Sequence, residues 1–453
     1  MNRKLHVSGN DLRRNILDLI EKYYVLQIKK NLVPGEDFLP YSGAVFDSEE
    51  LKSVVDVVLS GRFVHGRYTL MFEGKFAKYL GVRNAVFVNS GSSANLLAVA
   101  SLIAETTPPE YRVRPRDEVI TPALTFPTTL NPVLFFGLRP VFLDVDIATL
   151  NIKPESLEKA VSERTRIIFI PHTLGNPNDM DVVMEVAQRH NLLVIEDSCD
   201  ALGSRFGGRL VGSFGVFGTF SFYPAHQITT GEGGMLVTNI DALAFTARSL
   251  RDWGRACVMQ SCNPLTCGDS ECPKSFKFSG VFKYDLPEDY DKRYTYINVG
   301  FNLQATEFQA ALGVKQIERV EEFCRRRKEN FAILRKELEK FEEYFVLPEW
   351  HKKSDPCWFA FPITIRDGAP FRRKHILRYL SEKKIDYRLV FAGNIVEQPG
   401  YRNIEHRVVG GLENTRKAMR DTFFVGVYPG LGPEHMYYIA DTIRRFVSET
   451  TGK

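Results

Sequence analysis

Apolar positions recur at helical spacing across residues 10–31, where Leu12, Ile16, Leu19, Ile20 and Tyr23 share one face. Asn10 or Asp11 can cap that helix. An irregular, proline-bearing stretch follows, from Val33-Pro34-Gly35 to Leu39-Pro40-Tyr41-Ser42-Gly43. A second helix is predicted from Asp47-Ser48-Glu49-Glu50 to a stop at Gly61, and a third from about Thr69 to Leu80, ended by Gly81. From residue 84 the pattern changes to short apolar runs alternating with helical stretches. Ala85-Val86-Phe87-Val88, Glu118-Val119-Ile120, Val141-Phe142-Leu143, Ile167-Ile168-Phe169-Ile170 and Leu193-Val194-Ile195 read as strands. Pro154 to Glu163 and Asp181 to His190 are among the helices between them. Strands this uniformly apolar, alternating with helices, predict a mostly parallel sheet covered on both faces.

Between residues 257 and 290 the pattern breaks into Cys, Pro, Gly, Asp and Lys. A loop of that length in a compact domain is either functional or without fixed structure. Helical periodicity resumes near Thr306 and runs through Phe308, Leu312, Ile317, Val320 and Phe323. The division that follows is an N-terminal helical segment (1–65), a large α/β domain (66–314) containing the cysteine loop, and a smaller α+β domain (315–453).

Composition narrows the class. A chain of 453 residues with 44% hydrophobic and 25% charged residues can hold two sizeable cores. A net charge of +4 without a dense Lys/Arg block gives no reason to expect a nucleic-acid partner. The first ten residues are basic but lack the apolar core of a signal peptide, and no stretch is long enough to cross a bilayer, so a cytoplasmic location is expected. In that setting the seven cysteines are expected as thiols or metal ligands rather than disulfides. Cys324 and Cys357 are expected as core or surface thiols.

Several segments carry candidate chemistry. Asn89-Ser90-Gly91-Ser92-Ser93 joins a strand end to a helix, where free N–H groups, the helix dipole and small side chains can hold a phosphate. Glu196-Asp197-Ser198-Cys199-Asp200 follows a buried strand. His172 ends another strand, open to a substrate contact or a structural hydrogen bond. Cys199 with Cys257, Cys262, Cys267 and Cys272 supplies thiolates suited to zinc or an iron–sulfur cluster, and spacing does not choose between them. The run from Phe220-Ser221-Phe222-Tyr223 through His226 to Gly231-Glu232-Gly233-Gly234 reads as a strand end, a turn and a glycine-rich return into Met235-Leu236-Val237-Thr238.

That last run resembles the cofactor segment of the DegT/StrS family of sugar aminotransferases, which act on nucleotide sugars with pyridoxal phosphate. The resemblance covers nearly the whole chain and implies fold type I of the pyridoxal-phosphate-dependent transferases, the aspartate-aminotransferase-like α/β fold. It implies a cofactor phosphate at Ser221 with Gly91 and Ser92, Asp197 on the pyridine nitrogen, and Phe126 stacked on the ring. Asn302 matches a residue that relatives donate across a dimer interface, so a homodimer is expected. Two departures matter. The family's glutamine facing the cofactor's phenol oxygen is Asp200 here, and its cofactor-binding lysine is His226. An imidazole cannot take the covalent role of the amine, but it can move protons near neutral pH. The expected cofactor is therefore pyridoxamine phosphate, held without a covalent link.

The histidine and the cysteines together resemble one branch of the family, the iron–sulfur 3-dehydrases of 3,6-dideoxysugar synthesis. Cys199, Cys257 and Cys267 fall at that branch's spacings for a 2Fe–2S cluster. Met259 stands where its remaining ligand belongs, and Cys262 is taken as the replacement, with Cys272 in reserve. The implied reaction removes the 3-hydroxyl of a nucleotide-linked 4-keto-6-deoxyhexose, by analogy CDP-linked and feeding lipopolysaccharide. In it His226 shuttles protons and a separate flavin/iron–sulfur reductase supplies electrons. Two alternatives stay open: a cluster-free dehydratase recharged by glutamate, and a non-catalytic sugar-nucleotide binder with structural zinc.

Overall fold

The computed structural model describes residues 8–28, 32–256, 286 and 294–452. The apolar runs assemble into one eight-stranded sheet. Seven strands come in chain order: β1 (Asn84–Val88), β2 (Glu118–Pro122), β3 (Arg139–Leu143), β4 (Thr165–Pro171), β5 (Leu193–Asp197), β6 (Phe217–Ser221) and β7 (Gly234–Thr238). Across the sheet they lie as β1-β7-β6-β5-β4-β2-β3, and a late strand, Arg407–Val409, adds to the β3 edge. Only β7 opposes the rest, pairing antiparallel with both β1 and β6. Every position of β2, β6 and β7 is buried.

Alternate residues feed two faces. Val86, Phe142, Phe169, Ile195 and Leu236 point into a core with the helices Gly91–Ile103 and Asp241–Arg251. Their neighbours Phe87, Phe220 and Met235 face Phe72 and Phe76 of the helix Arg67–Leu80, while Ile120, Val141 and Ile168 face Val183 of the helix Met180–Arg189. In such a sheet the ligand crevice lies outside the carboxyl ends of the strands. Here the ends that matter are those of β5 and β6.

Local signals stop the second and third helices where the pattern predicts, whereas the first α-helix spans Gly9–Tyr23 and is capped by Ser8 instead of Asn10 or Asp11. Asp47 and Glu50 close a capping box on Ser48–Ser60, and Gly61 ends that helix in the left-handed region. The later helical stretch divides into Glu307–Gln316 and Val320–Leu338, joined by a tighter turn at Ile317–Arg319.

The second sheet has four antiparallel strands: β8 (Phe345–Val346), β9 (Ala360–Ile365), β10 (Tyr387–Arg388) and β11 (Thr422–Gly426), in the order β8-β9-β11-β10. Phe331, Leu334 and Leu338 of the helix Val320–Leu338 pack on Phe361 and Ile363, as do Ile439 and Ile443 of the helix Pro433–Thr451. The strand Arg407–Val409 leaves this C-terminal part to join the large sheet. Cys324 and Cys357, expected as separate thiols, form a disulfide: the fold brings their Cα atoms to 4.9 Å. Among the described residues no helix is long and apolar enough to cross a membrane.

Asp144, just past β3, ties the large sheet to the helix Glu413–Asp421. Its carboxylate accepts from the Thr415 amide and hydroxyl, both at 2.8 Å, from the Asn414 amide at 3.2 Å and from Lys153 at 3.1 Å. Burial alone would raise its pKa, but the Thr415, Lys153 and Asn414 donors outweigh it and hold the group below its ordinary 3.8. The stabilisation is therefore complete above the unfolded-state pKa and is lost as pH falls through the depressed folded value. Asp144→Asn is expected to lower stability by about 1–3 kcal/mol in urea titrations at pH 7. That deficit should shrink in the same titrations as the pH is lowered through the acid range.

Candidate active site

A cavity of about 590 Å³ opens at the carboxyl ends of β5 and β6 and is closed on one side by the second sheet through Phe359 and Phe424. One end can take an anion. Gly91 starts the helix Gly91–Ile103, and the Ser90 hydroxyl accepts from the Ser93 amide at 3.1 Å to cap it. Ser221, the last residue of β6, lies against Gly91 so closely that a methyl group on Gly91 would collide with its Cβ. Gly91, Ser92 and Ser221 all line the cavity. Uncommitted N–H groups at a helix start beside a hydroxyl suit a phosphate.

At the other end stands Asp197, the last residue of β5, 7% exposed. Its Oδ2 accepts from Asn95 Nδ2 at 2.8 Å and Thr129 Oγ1 at 2.7 Å, and its Oδ1 from the Cys199 amide at 3.2 Å. Asn95 in turn accepts from the Thr219 hydroxyl. Such a satisfied, aimed carboxylate suits a protonated ring nitrogen. Phe126 also lines the cavity; it is half exposed and meets the Phe391 ring edge-on at 6.1 Å. A half-exposed aromatic ring, a buried carboxylate and an anion-binding turn lining one cavity fit a planar phosphorylated pyridine.

His226 lies in the turn after β6, its amide donating to the Tyr223 carbonyl at 3.0 Å. Its Nδ1 is 3.4 Å from Asp200 Oδ1, near enough for an ion pair but not aligned as a hydrogen bond. The imidazole rests against the Phe359 ring at 5.4 Å. Side-chain exposures of 15% for His226 and 12% for Asp200 leave both largely shielded from water while facing the cavity.

Other residues divide between those the fold brings here and those it does not. His172 is fully buried: Nδ1 accepts from the Asn178 amide at 3.1 Å, and Nε2 lies 3.2 Å from Glu196. Glu196 also accepts from the amides of Gly212, Phe214 and Gly215, and His172, held by these buried contacts, also lines the cavity. Asn302 is exposed, its backbone bridges Asp252, and it does not line the cavity. Cys199 lines the cavity beside Asp197; burial and that neighbouring carboxylate push its thiol pKa well up. Cys257, Cys262, Cys267 and Cys272 lie outside the described residues. Among the described residues no group of three or more His, Cys, Asp and Glu is placed to hold a metal. Sequence reasoning missed Asn95, Thr129 and Thr219, and also Tyr223 and Arg388, whose side chains line the cavity. Only Asn95 carried a signal, one helical turn after Gly91 on the same face.

The sheet with its single reversed strand, the smaller antiparallel sheet against it and the crevice between them are fold type I of the pyridoxal-phosphate-dependent enzymes. Residues 45–444 match the DegT/DnrJ/EryC1/StrS aminotransferase family, and the chain belongs to it. It is 44% identical over 443 residues to the lipopolysaccharide biosynthesis protein RfbH of Salmonella typhimurium, covering 97% of this chain and 99% of that protein. It is 42% identical over 444 residues to the dTDP-4-dehydro-2,6-dideoxy-D-glucose 3-dehydratase of Saccharopolyspora spinosa, covering 97% and 93%. Among solved structures, the Escherichia coli GDP-4-keto-6-deoxy-D-mannose-3-dehydratase with bound hydrated PLP superposes with a TM-score of 0.81 at 28% identity, covering 90% of this chain and 100% of that one.

Ser221→Ala is expected to weaken pyridoxal phosphate binding about tenfold, the effect of one lost charge-assisted hydrogen bond. Gly91→Val, which crowds Ser221, should abolish binding. Absorbance titration with the cofactor checks both.

Proposed function

We propose that this protein is a pyridoxamine-phosphate-dependent 3-dehydrase acting on a nucleotide-linked 4-keto-6-deoxyhexose. The observation that carries the reading is His226, standing at the family's lysine position with its imidazole beside the Asp200 carboxylate in the cavity. The similarity to sugar 3-dehydratases over nearly the full chain supports it. When bound, the coenzyme supplies an amine for the 4-keto group and a ring that accepts electrons. Gly91, Ser92 and Ser221 would hold its phosphate, Phe126 its ring face and Asp197 its pyridine nitrogen.

The protein's own chemistry then centres on one proton carrier. Asp200 faces Nδ1, which would leave Nε2 free to carry a proton between the coenzyme's 4′ carbon and the sugar's 3-hydroxyl. A contact that is loose before substrate arrives can tighten in the reacting complex. Without a lysine, covalent capture of the aldehyde coenzyme does not compete.

The finer assignments belong to the same proposal. They are a CDP-linked substrate, a 2Fe–2S cluster on Cys199, Cys257, Cys267 and Cys262 or Cys272, a flavin/iron–sulfur reductase, a homodimer completed by Asn302, and a cytoplasmic role in lipopolysaccharide deoxysugar synthesis. Cys199 fits a cluster ligand near the coenzyme because it lines the same cavity. A relative related at 28% identity was trapped with PLP and glutamate, which keeps recharging by glutamate as the second reading.

An anaerobic assay with CDP- and dTDP-linked 4-keto sugars, pyridoxamine phosphate and a surrogate reductase tests the proposal. The 3-deoxy product should form only with the reductase, and iron and sulfide should co-purify with the protein. Turnover on glutamate alone would select the second reading, and zinc without iron or sulfide would select the structural-zinc alternative. His226→Lys is expected to lower dehydration at least about 10²-fold and to give the absorbance of covalently held pyridoxal phosphate. Unchanged dehydration in that variant would refute the role of His226.

A further inference from the structure

Arg327 has no place in the chemistry above, yet it is 1% exposed. It sits on the helix Val320–Leu338, and among the described residues it forms no ion pair with a carboxylate. Its Nη1 donates to the carbonyls of Trp358 at 3.1 Å and Phe359 at 2.9 Å. Its Nη2 donates to the carbonyls of His226 at 2.9 Å and, more weakly, Ala225 at 3.5 Å. The two pairs of carbonyls belong to different parts of the fold: the turn after β6 and the segment entering β9. These are also the segments that bring the His226 imidazole against the Phe359 ring.

A buried cation held only by neutral carbonyls is costly, and apolar packing would be cheaper at a position serving stability alone. Desolvation pushes the guanidinium pKa down to about 9, while the negative charge of Asp200 acts to raise it. A planar fork can span two carbonyl pairs at once, which a single ammonium cannot. Gln227 adds a parallel tie, its Nε2 donating to the carbonyls of Cys357 and Asp200.

We propose that Arg327 is a positioning residue for proton transfer: its guanidinium clamps the carbonyls of His226 and Phe359 and so sets where the imidazole stands against Asp200 and the cavity. The proposal rests on the reading of His226 as the proton carrier.

The test uses the full chain with pyridoxamine phosphate and compares Arg327→Gln, Arg327→Lys and His226→Asn. The readouts are the His226 ring signals of histidine-labelled protein by NMR, coenzyme affinity, and kcat and KM for dehydration. Arg327→Gln should shift the His226 signals and lower kcat about 10²-fold, the cost of an ångström-scale misplacement, with KM and coenzyme affinity nearly unchanged. Arg327→Lys should recover part of both losses. Unmoved His226 signals with parental kcat in Arg327→Gln would overturn the clamp. So would losses in kcat, KM and coenzyme affinity that only track the folded fraction. If Arg327→Gln does not fold, the same criteria apply to Arg327→Lys. Full dehydration by His226→Asn would instead remove the proton-carrier reading, while the NMR shift still reports on the clamp.

Discussion

A buried carboxylate must meet a donor at each accessible lone pair, or its desolvation costs several kcal/mol. Asp197 nearly meets that condition, with three donors drawn from four elements and one acceptor site left on the cavity side. Asn95 reaches it from the helix Gly91–Ile103, Thr129 from the helix Pro127–Phe135, and the Cys199 amide from its own strand's end, while Thr219 of β6 fixes Asn95. Asn95 lies one turn along the helix that Gly91 begins, a rise of about 6 Å. The same turn of helix therefore carries Gly91, which lines the cavity, and Asn95, which holds Asp197.

The alternation of strands and helices was legible because parallel strands buried on both faces have no polar side to blur the pattern. Helix ends at Gly61 and Gly81 were legible for a local reason, since each adopts a left-handed conformation open to glycine at little cost. Tertiary events were not. The edge strand Arg407–Val409 is three residues long and only partly buried, too short to show a period. The partners Cys324 and Cys357 are 33 residues apart, and nothing local marks them as neighbours.

The active-site residues show the same division. Ser221, Asp197 and His226 stood in runs with a recognisable order, so their convergence on one cavity was expected from the sequence. The donors that orient Asp197 are single polar residues inside apolar helices and strands, indistinguishable from ordinary satisfied core groups. Arg327 falls within Cys324-Arg325-Arg326-Arg327-Lys328-Glu329, which reads as a solvated charged face. Helical phase alone singles it out: Val320, Phe323, Cys324, Phe331 and Leu334 are buried on the stripe that contains it.

The two departures from the family pattern are best understood as one. By the resemblance, Asp200 and His226 stand where the family carries a glutamine facing the phenol oxygen and a nucleophilic lysine, and the two side chains lie 3.4 Å apart. An amide can donate to the phenol oxygen, whereas an ionised carboxylate can only accept. A carboxylate that close to a lysine would favour its ammonium form and so suppress the free amine that covalent chemistry needs. Beside an imidazole the same carboxylate orients the ring and stabilises the cation formed when a proton is taken up. Aspartate therefore fits the proposed reading, in which the neighbouring residue moves protons instead of forming a bond to the coenzyme.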